Sequence, residues 1–194
     1  PNINLDIYAG SRSDLILRLL EGKIDLFVSA ILPEDFASTE KVKSLPLYKD
    51  TQFLVTRTNH PLQHKKKVTL KDTLKFDWIL PEHERTLSLF NINNQFWKNN
   101  LKHPNPRIVY NSANFALNVI KNSDYIGIHP KQMIETQGEG VFSILDIEGI
   151  KMEPSYGITY LENKIKRKSV ELFIEELILV SKEMIKMGLV KNIG

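Results

Sequence analysis

Residues 10–30 read Gly10-Ser11-Arg12-Ser13-Asp14-Leu15-Ile16-Leu17-Arg18-Leu19-Leu20-Glu21-Gly22-Lys23-Ile24-Asp25-Leu26-Phe27-Val28-Ser29-Ala30. Ser11 followed three residues later by Asp14 has the spacing of a capping box, in which each side chain satisfies an orphan amide of the first helical turn. Leu15, Ile16, Leu19 and Leu20 then recur at helical spacing. Gly22 can adopt the left-handed conformation that ends a helix. Residues 24–29 form an apolar run of strand length, interrupted only by Asp25. A capped helix, a glycine stop and a buried strand make one limb of an α/β fold. Continuous apolar strands of this kind suit a sheet covered on both faces, as in parallel sheets.

Upstream, Ile3, Leu5 and Ile7 alternate with Asn4, Asp6 and Tyr8, predicting a strand with one apolar face and completing strand–helix–strand by Ala30. Downstream, residues 33–39 carry loop residues. Leu45 to Leu47 starts an extended segment, residues 52–56 are a strand, and Thr58-Asn59-His60-Pro61 is a turn. Thr69 can cap a short helix with Asp72 in its first turn. Residues 76–80 are a strand ended by Pro81. A helix over 86–101 places Phe90, Trp97 and Leu101 on one stripe, and prolines at 104 and 106 follow it. Residues 107–110 are a strand. Ser112 caps a helix to Asn122 that buries Phe115, Ala116, Val119 and Ile120. Residues 125–129 are a strand, and Pro130 suits the first position of a helix. Strands at 141–147 and 156–161 precede a long helix at 168–187, with Val170, Phe173, Leu177, Val180 and Met184 on one face.

A chain of 194 residues, 42% hydrophobic and 25% charged, can bury a sizeable core as one domain or two small ones. It has no apolar run of membrane-spanning length and no basic-then-apolar leader. Cysteine is absent, which excludes disulfides, thiol catalysis and thiolate metal sites. A net charge of +3 is too small to point to nucleic acid. The basic groups Lys65 to Lys67 and Lys164, Lys166, Arg167 and Lys168 read as solvated loop charge.

In order along the chain, several stretches resemble the effector-binding region of LysR-type transcriptional regulators. They are Gly10-Ser11 with Leu-Leu-Glu-Gly-Lys-Ile-Asp-Leu at 19–26, then Asn59-His60-Pro61-Leu62 with Val68-Thr69-Leu70-Lys71-Asp72. Next come Trp78-Ile79-Leu80-Pro81 with Arg85, similar to the branch containing galactose-binding-protein regulators, and Asn122 to Pro130. The resemblance implies two Rossmann-like subdomains joined by crossover strands, the type 2 periplasmic-binding-protein arrangement. Subdomain I would hold 1–48 and 157–194, and subdomain II 49–156. It further implies a small-molecule effector in the cleft between them, homodimers or homotetramers, and DNA contact only through a winged helix-turn-helix domain outside this sequence. Family domains begin with one more strand and helix than are present here, so the sequence reads as an N-terminally truncated piece whose open sheet edge can pair with another chain.

Ligands of α/β folds sit beyond the carboxyl ends of strands, near helix N-termini. That rule selects the loops at 30–33, 80–84, 111–114 and 129–131, and with them Ala30, Leu80, Pro81, Glu82, Ser112, Ala113, Asn114 and His129 as ligand-binding candidates. Ser112 either donates to an anionic or hydroxylated ligand or simply caps its helix. Asn114 is the next candidate, and Ala30 contributes shape alone. Glu82, His83, Glu84 and Arg85 read as loop charge; adjacent residues rarely converge on a metal, and no metal or cofactor is expected. Arg85 either clamps a carboxylate or pairs with Glu82 or Glu84. His129 lines the cleft, titrates near neutrality, or is an inert strand-end histidine, and His60 faces solvent in its turn. Asp25 bonds to nearby backbone. Phe96 and Trp97 belong to core or a dimer surface.

Ser112 has no base at recognisable spacing, no Gly-x-Ser-x-Gly elbow occurs, and the nine glycines form no phosphate cradle. The expected function is therefore sensing: a cytoplasmic, non-enzymatic effector domain for a metabolite, a carboxylate or sugar derivative. The alternatives are a periplasmic-type solute-binding protein, which requires a signal peptide, and an enzyme on the same fold, which requires a convergent acid–base pair.

Overall fold

The computed structural model describes residues 3–31, 42–81, 87–138, 140–148, 150, 152–162 and 167–193, with the side chains of 87–91 left undescribed. The loop expected at 33–39, the cluster Glu82 to Arg85, Lys164, Lys166 and the side chain of Phe90 lie outside the described residues. The chain divides into two compact units, 1–50 with 154–194, and 51–153.

In the first unit, helix α1 (Arg12–Leu20) begins where Ser11 Oγ accepts the Asp14 amide at 3.1 Å. The expected box is half made, because Asp14 turns its carboxylate to Arg18 at 2.9 Å. Gly22, at φ 75°, ends the helix with Gly22 N–H on Leu19 O and Lys23 N–H on Arg18 O, the paired bonds of a Schellman motif. Strand β1 (Leu26–Ala30) follows, then β2 (Val42–Lys49). Both pair antiparallel with β8 (Ser155–Leu161), giving the order β1-β8-β2, with the β2 register shifting between Pro46 and Tyr48. Phe27 packs on Leu15 and Leu19 of α1. Leu26 and Ile158 face Val170 and Ile174 of the last helix, α6 (Lys168–Lys186).

The strand expected from Ile3 to Tyr8 is not formed. Residues 3–10 make no ladder, and Ile7 is 90% exposed. Alternation marks a strand only where a neighbour supplies the ladder. Tyr8 instead lays its ring 3.8 Å beneath the Arg18 guanidinium of α1. β1 is not covered on both faces as its apolar run implies: Phe27 is buried against α1 while Val28 on the other face is 42% exposed, and the sheet is antiparallel. Among the described residues Asp25 bonds not to backbone but to a side chain: its carboxylate accepts from Arg167 Nη2 at 2.6 Å, from the residue before α6. On α6 the inward seam runs through Val170, Ile174 and Ser181. Val180, expected inside, is 49% exposed, because it falls one position off the three-and-four spacing.

The second unit contains β3 (Gln52–Arg57), a 3-10 turn (Pro61–His64), α2 (Leu70–Thr73), β4 (Ile79–Pro81) and α3 (Leu87–Lys98). It continues through β5 (Ile108–Tyr110), α4 (Ala113–Lys121), β6 (Gly127–Pro130), α5 (Lys131–Glu135) and β7 (Phe142–Leu145). β3 lies between β6 and β7, antiparallel to both. β4 and β5 are parallel, and a parallel bridge between Trp78 and Ile126 sets β4 beside β6. Trp78, Leu80, Ile92 and Phe96 form the core on the α3 side; Val55, Ile79, Ala116 and Ile120 form it on the α4 side. Thr69 and Asp72 make the full reciprocal box on α2. Pro130 occupies the N-cap of α5 rather than its first helical position. Phe115, expected to be buried, is 53% exposed, because the seam runs through Ala116, Leu117 and Ile120.

His60 is not solvated as expected. It is fully buried, its Nδ1 accepts the Leu62 amide at 3.1 Å, and its Nε2 lies 3.2 Å from Asp124 O. It is thus the cap of the 3-10 turn, packed against Phe76.

Candidate functional site

Strands β4, β5 and β6 run parallel, so their carboxyl ends share one edge of the second unit, where the N-terminus of α4 also arrives. Ser112, the residue before α4, takes extended backbone (φ −118°, ψ 114°), and its Oγ accepts the Phe115 amide at 3.4 Å. Its carbonyl accepts the Ala116 amide at 3.1 Å. The amides of Ala113 and Asn114 have no protein partner among the described residues. They are the orphan donors of a helix start, where the dipole favours negative charge. Ser112 and Asn114 are exposed and Ala113 is partly so.

Pro81, half-buried, pairs with Tyr110 at the ends of β4 and β5. Leu80, one residue earlier, is 1% exposed and belongs to the core beside Trp78. Glu82 lies outside the described residues. His129, near the end of β6, is 2% exposed and stacks on Tyr110 with ring centroids 5.9 Å apart and planes 21° apart. Its Nε2 is sealed from solvent without a hydrogen-bond partner, and burial pushes its imidazole down to about 4, so it is neutral at pH 7. Among the candidates of this unit, Pro81, Ser112, Ala113, Asn114 and His129 therefore share one sheet edge.

Ala30 ends β1 in the first unit. Its carbonyl accepts from Arg12 Nη1 at 3.3 Å and from Ser29 Oγ at 3.2 Å, and Arg12 Nη1 also donates to Ser29 Oγ at 2.7 Å. The guanidinium lies 5.7 Å over the Phe27 ring. Neither Arg12 nor Ser29 stood out in the sequence. The available signal was a cation in the first turn of α1, where the helix dipole disfavours it, so that its side chain has another task.

Two depressions lie elsewhere on the second unit. One of about 290 Å³ is lined by Lys75, Phe76, Asp77, Asp124 and Tyr125. The other, of about 490 Å³, is lined by Lys65, Lys66, Lys67, Val68 and part of β7. Lys65 and Lys67 there pair with Asp72 at 2.6 Å and Glu148 at 2.8 Å. Among the described residues no group of three or more His, Asp or Glu side chains could hold a metal ion, and no helix is long and apolar enough to cross a membrane.

The fold is of the type 2 periplasmic-binding-protein kind. The chain belongs to the LysR substrate binding domain family, whose model matches residues 1–179. Comparison with curated protein sequences gives no match. Among solved structures, the cofactor-binding domain of the Cbl transcriptional regulator is similar with a TM-score of 0.72 at 17% identity, over 94% of this chain and 78% of its own. The effector-binding domain of QuiR, in complex with shikimate, gives 0.71 at 20% identity, over 90% and 79%. The CcmR regulatory domain of Synechocystis PCC6803, in complex with 2-PG, gives 0.70 at 18% identity, over 88% and 80%. At these identities the likeness is one of fold.

Proposed function

We propose that this domain senses a small carboxylate metabolite at the carboxyl edge of the second unit's sheet. The observation that carries the reading is the start of α4, where Ser112 caps the helix and leaves the amides of Ala113 and Asn114 for an anion. The ligands named with QuiR and CcmR, shikimate and 2-PG, support an acidic effector. Pro81, Asn114 and His129 complete the proposed site. In this reading residues 1–48 with 157–194 and residues 49–156 are the two regulatory subdomains. The ligand's differential affinity for two arrangements of the protein controls a DNA-binding domain carried outside this chain. The regulator works in the cytoplasm as a homodimer or homotetramer. It is a binder, not a catalyst: the Ser112 hydroxyl is engaged by its own helix, and the imidazole at this edge lies against an aromatic ring.

Ala113→Pro tests the site. Proline is favoured at the first helical position and is compatible with the extended backbone of Ser112, so the substitution deletes one amide donor and keeps the helix. Calorimetry against a panel of small carboxylates should show wild-type binding and about tenfold weaker binding by the variant, the worth of one charge-assisted hydrogen bond, at unchanged thermal stability. Undiminished affinity would overturn the assignment of this helix start as the anion site.

A further inference from the structure

His129 carries more than packing. Residues 127 and 129 lie on the same face of β6, toward α4, where Ile120 Cδ1 fills the space a side chain at 127 would need. The imidazole leans back over Gly127: its Cδ2 and Nε2 both lie 3.5 Å from where a Cβ on residue 127 would stand. The opposite side of the ring, carrying Nδ1 and Cε1, therefore faces the carboxyl end of the strand. Tyr110 holds the ring plane from β5, with β4 between the two strands. A half-turn about Cβ–Cγ leaves that plane and the stack intact while exchanging the two sides, so either nitrogen can be offered at the sheet edge. Among the described residues its buried Nε2 has no hydrogen-bond partner. A buried polar group left without a partner is costly, and such groups call for an explanation.

We propose that His129 determines specificity at this edge by hydrogen-bonding a hydroxyl of the ligand, so that the preferred effector is a hydroxy-carboxylate. This rests on the carboxylate reading above. A neutral imidazole offers one donor and one acceptor, and a hydroxyl can answer either. Because burial keeps the ring uncharged, it gives a second anionic group no counter-charge. The carboxylate goes to the amides of Ala113 and Asn114, and the hydroxyl to the imidazole.

The test uses matched acids with and without hydroxyls: shikimate against cyclohex-1-ene-carboxylate, lactate against propionate, and glycolate against acetate. Each is titrated calorimetrically into the wild-type chain and into His129→Phe, which keeps an aromatic ring on Tyr110 and removes both nitrogens. In the wild type a hydroxy acid should bind about tenfold more tightly than its deoxy partner, as expected for a site built around a hydrogen bond. In His129→Phe that ratio should fall to about one. A wild type without hydroxyl preference, or a variant that retains it, overturns the proposal and leaves the carboxylate reading standing. Failure of every acid to bind the wild type overturns both. Should His129→Phe fail to fold, the nitrogen-15 resonances of the His129 ring in the wild type decide: they shift with a hydroxy acid and not with its deoxy partner if the proposal holds, and respond alike to both if it does not.

Discussion

Ile31 occupies the space that a side chain on Gly157 would need. Gly157 is in the middle strand of the first unit, and a Cβ there would also overlap Leu45 O and come within 2.9 Å of Pro46 Cα. Two of these neighbours are backbone in the paired strand β2 and cannot swing aside. Gly157→Ala should therefore destabilise the protein by about 2–4 kcal/mol, read from the midpoint of urea unfolding. Gly127→Ala meets only the flexible tip of Ile120 at close range, and its cost should be smaller, about 1 kcal/mol.

Acid should weaken the second unit before its carboxylates matter. Burial lowers His60, with Arg57 adding to that and Asp124 opposing it, and burial lowers His129 to about 4. Both are bases held neutral in the fold, so the unfolded chain binds more protons as pH falls. Their contribution is fully present above the ordinary imidazole value of 6.5 and is lost as pH falls from there toward the folded values. For His129 the loss amounts to about 3 kcal/mol by pH 4. Unfolding free energies measured across this range should show the decline, and His129→Phe should flatten much of it.

The two tryptophans should report separately. Trp78 is 1% exposed and donates Nε1–H to Thr73 O at 3.2 Å, whereas Trp97 is 66% exposed. Iodide should quench Trp97 and spare Trp78, so Trp97→Phe leaves a blue-shifted emission that iodide does not reach. Trp78→Ala, which empties the core beside Phe96, should cost about 3–5 kcal/mol.

Self-association through β5, which among the described strands pairs only with β4, should respond to charge there. Val109 is 56% exposed on that strand. Val109→Lys blunts an edge in the way natural sheets do, and sedimentation should show a shift toward monomer with no change in the circular dichroism of the fold.

Local signals read well because their causes are local. The Ser11 cap, the Gly22 stop, the Thr69–Asp72 box and the Ser112 cap each involve residues within five positions. Partners distant in the chain left no such trace. The Asp25–Arg167 pair and the antiparallel pairing of β1 with β8 depend on which segments meet. Periodicity gives a face and not a neighbour, so Ile3 to Ile7 resembled a strand that no ladder supports. On α4 and α6 an error of one residue turned Phe115 and Val180 outward. At the site, Ser112 was legible as a cap. The burial of His129 and its stack on Tyr110 depend on strands β5 and β6 meeting at one edge, and Arg12 showed only as a cation at the wrong helix end.

The order of strands in the first unit has a consequence for synthesis. β1 and β2 do not pair with each other; each pairs with β8. During synthesis the described ladders of β1 and β2 are therefore completed only when β8, ending at residue 161, has emerged. Every ladder of the second unit lies within 51–153 and can close sooner. Among the described residues, the second unit's ladders can therefore close before those of β1 and β2, whose pairing waits for β8.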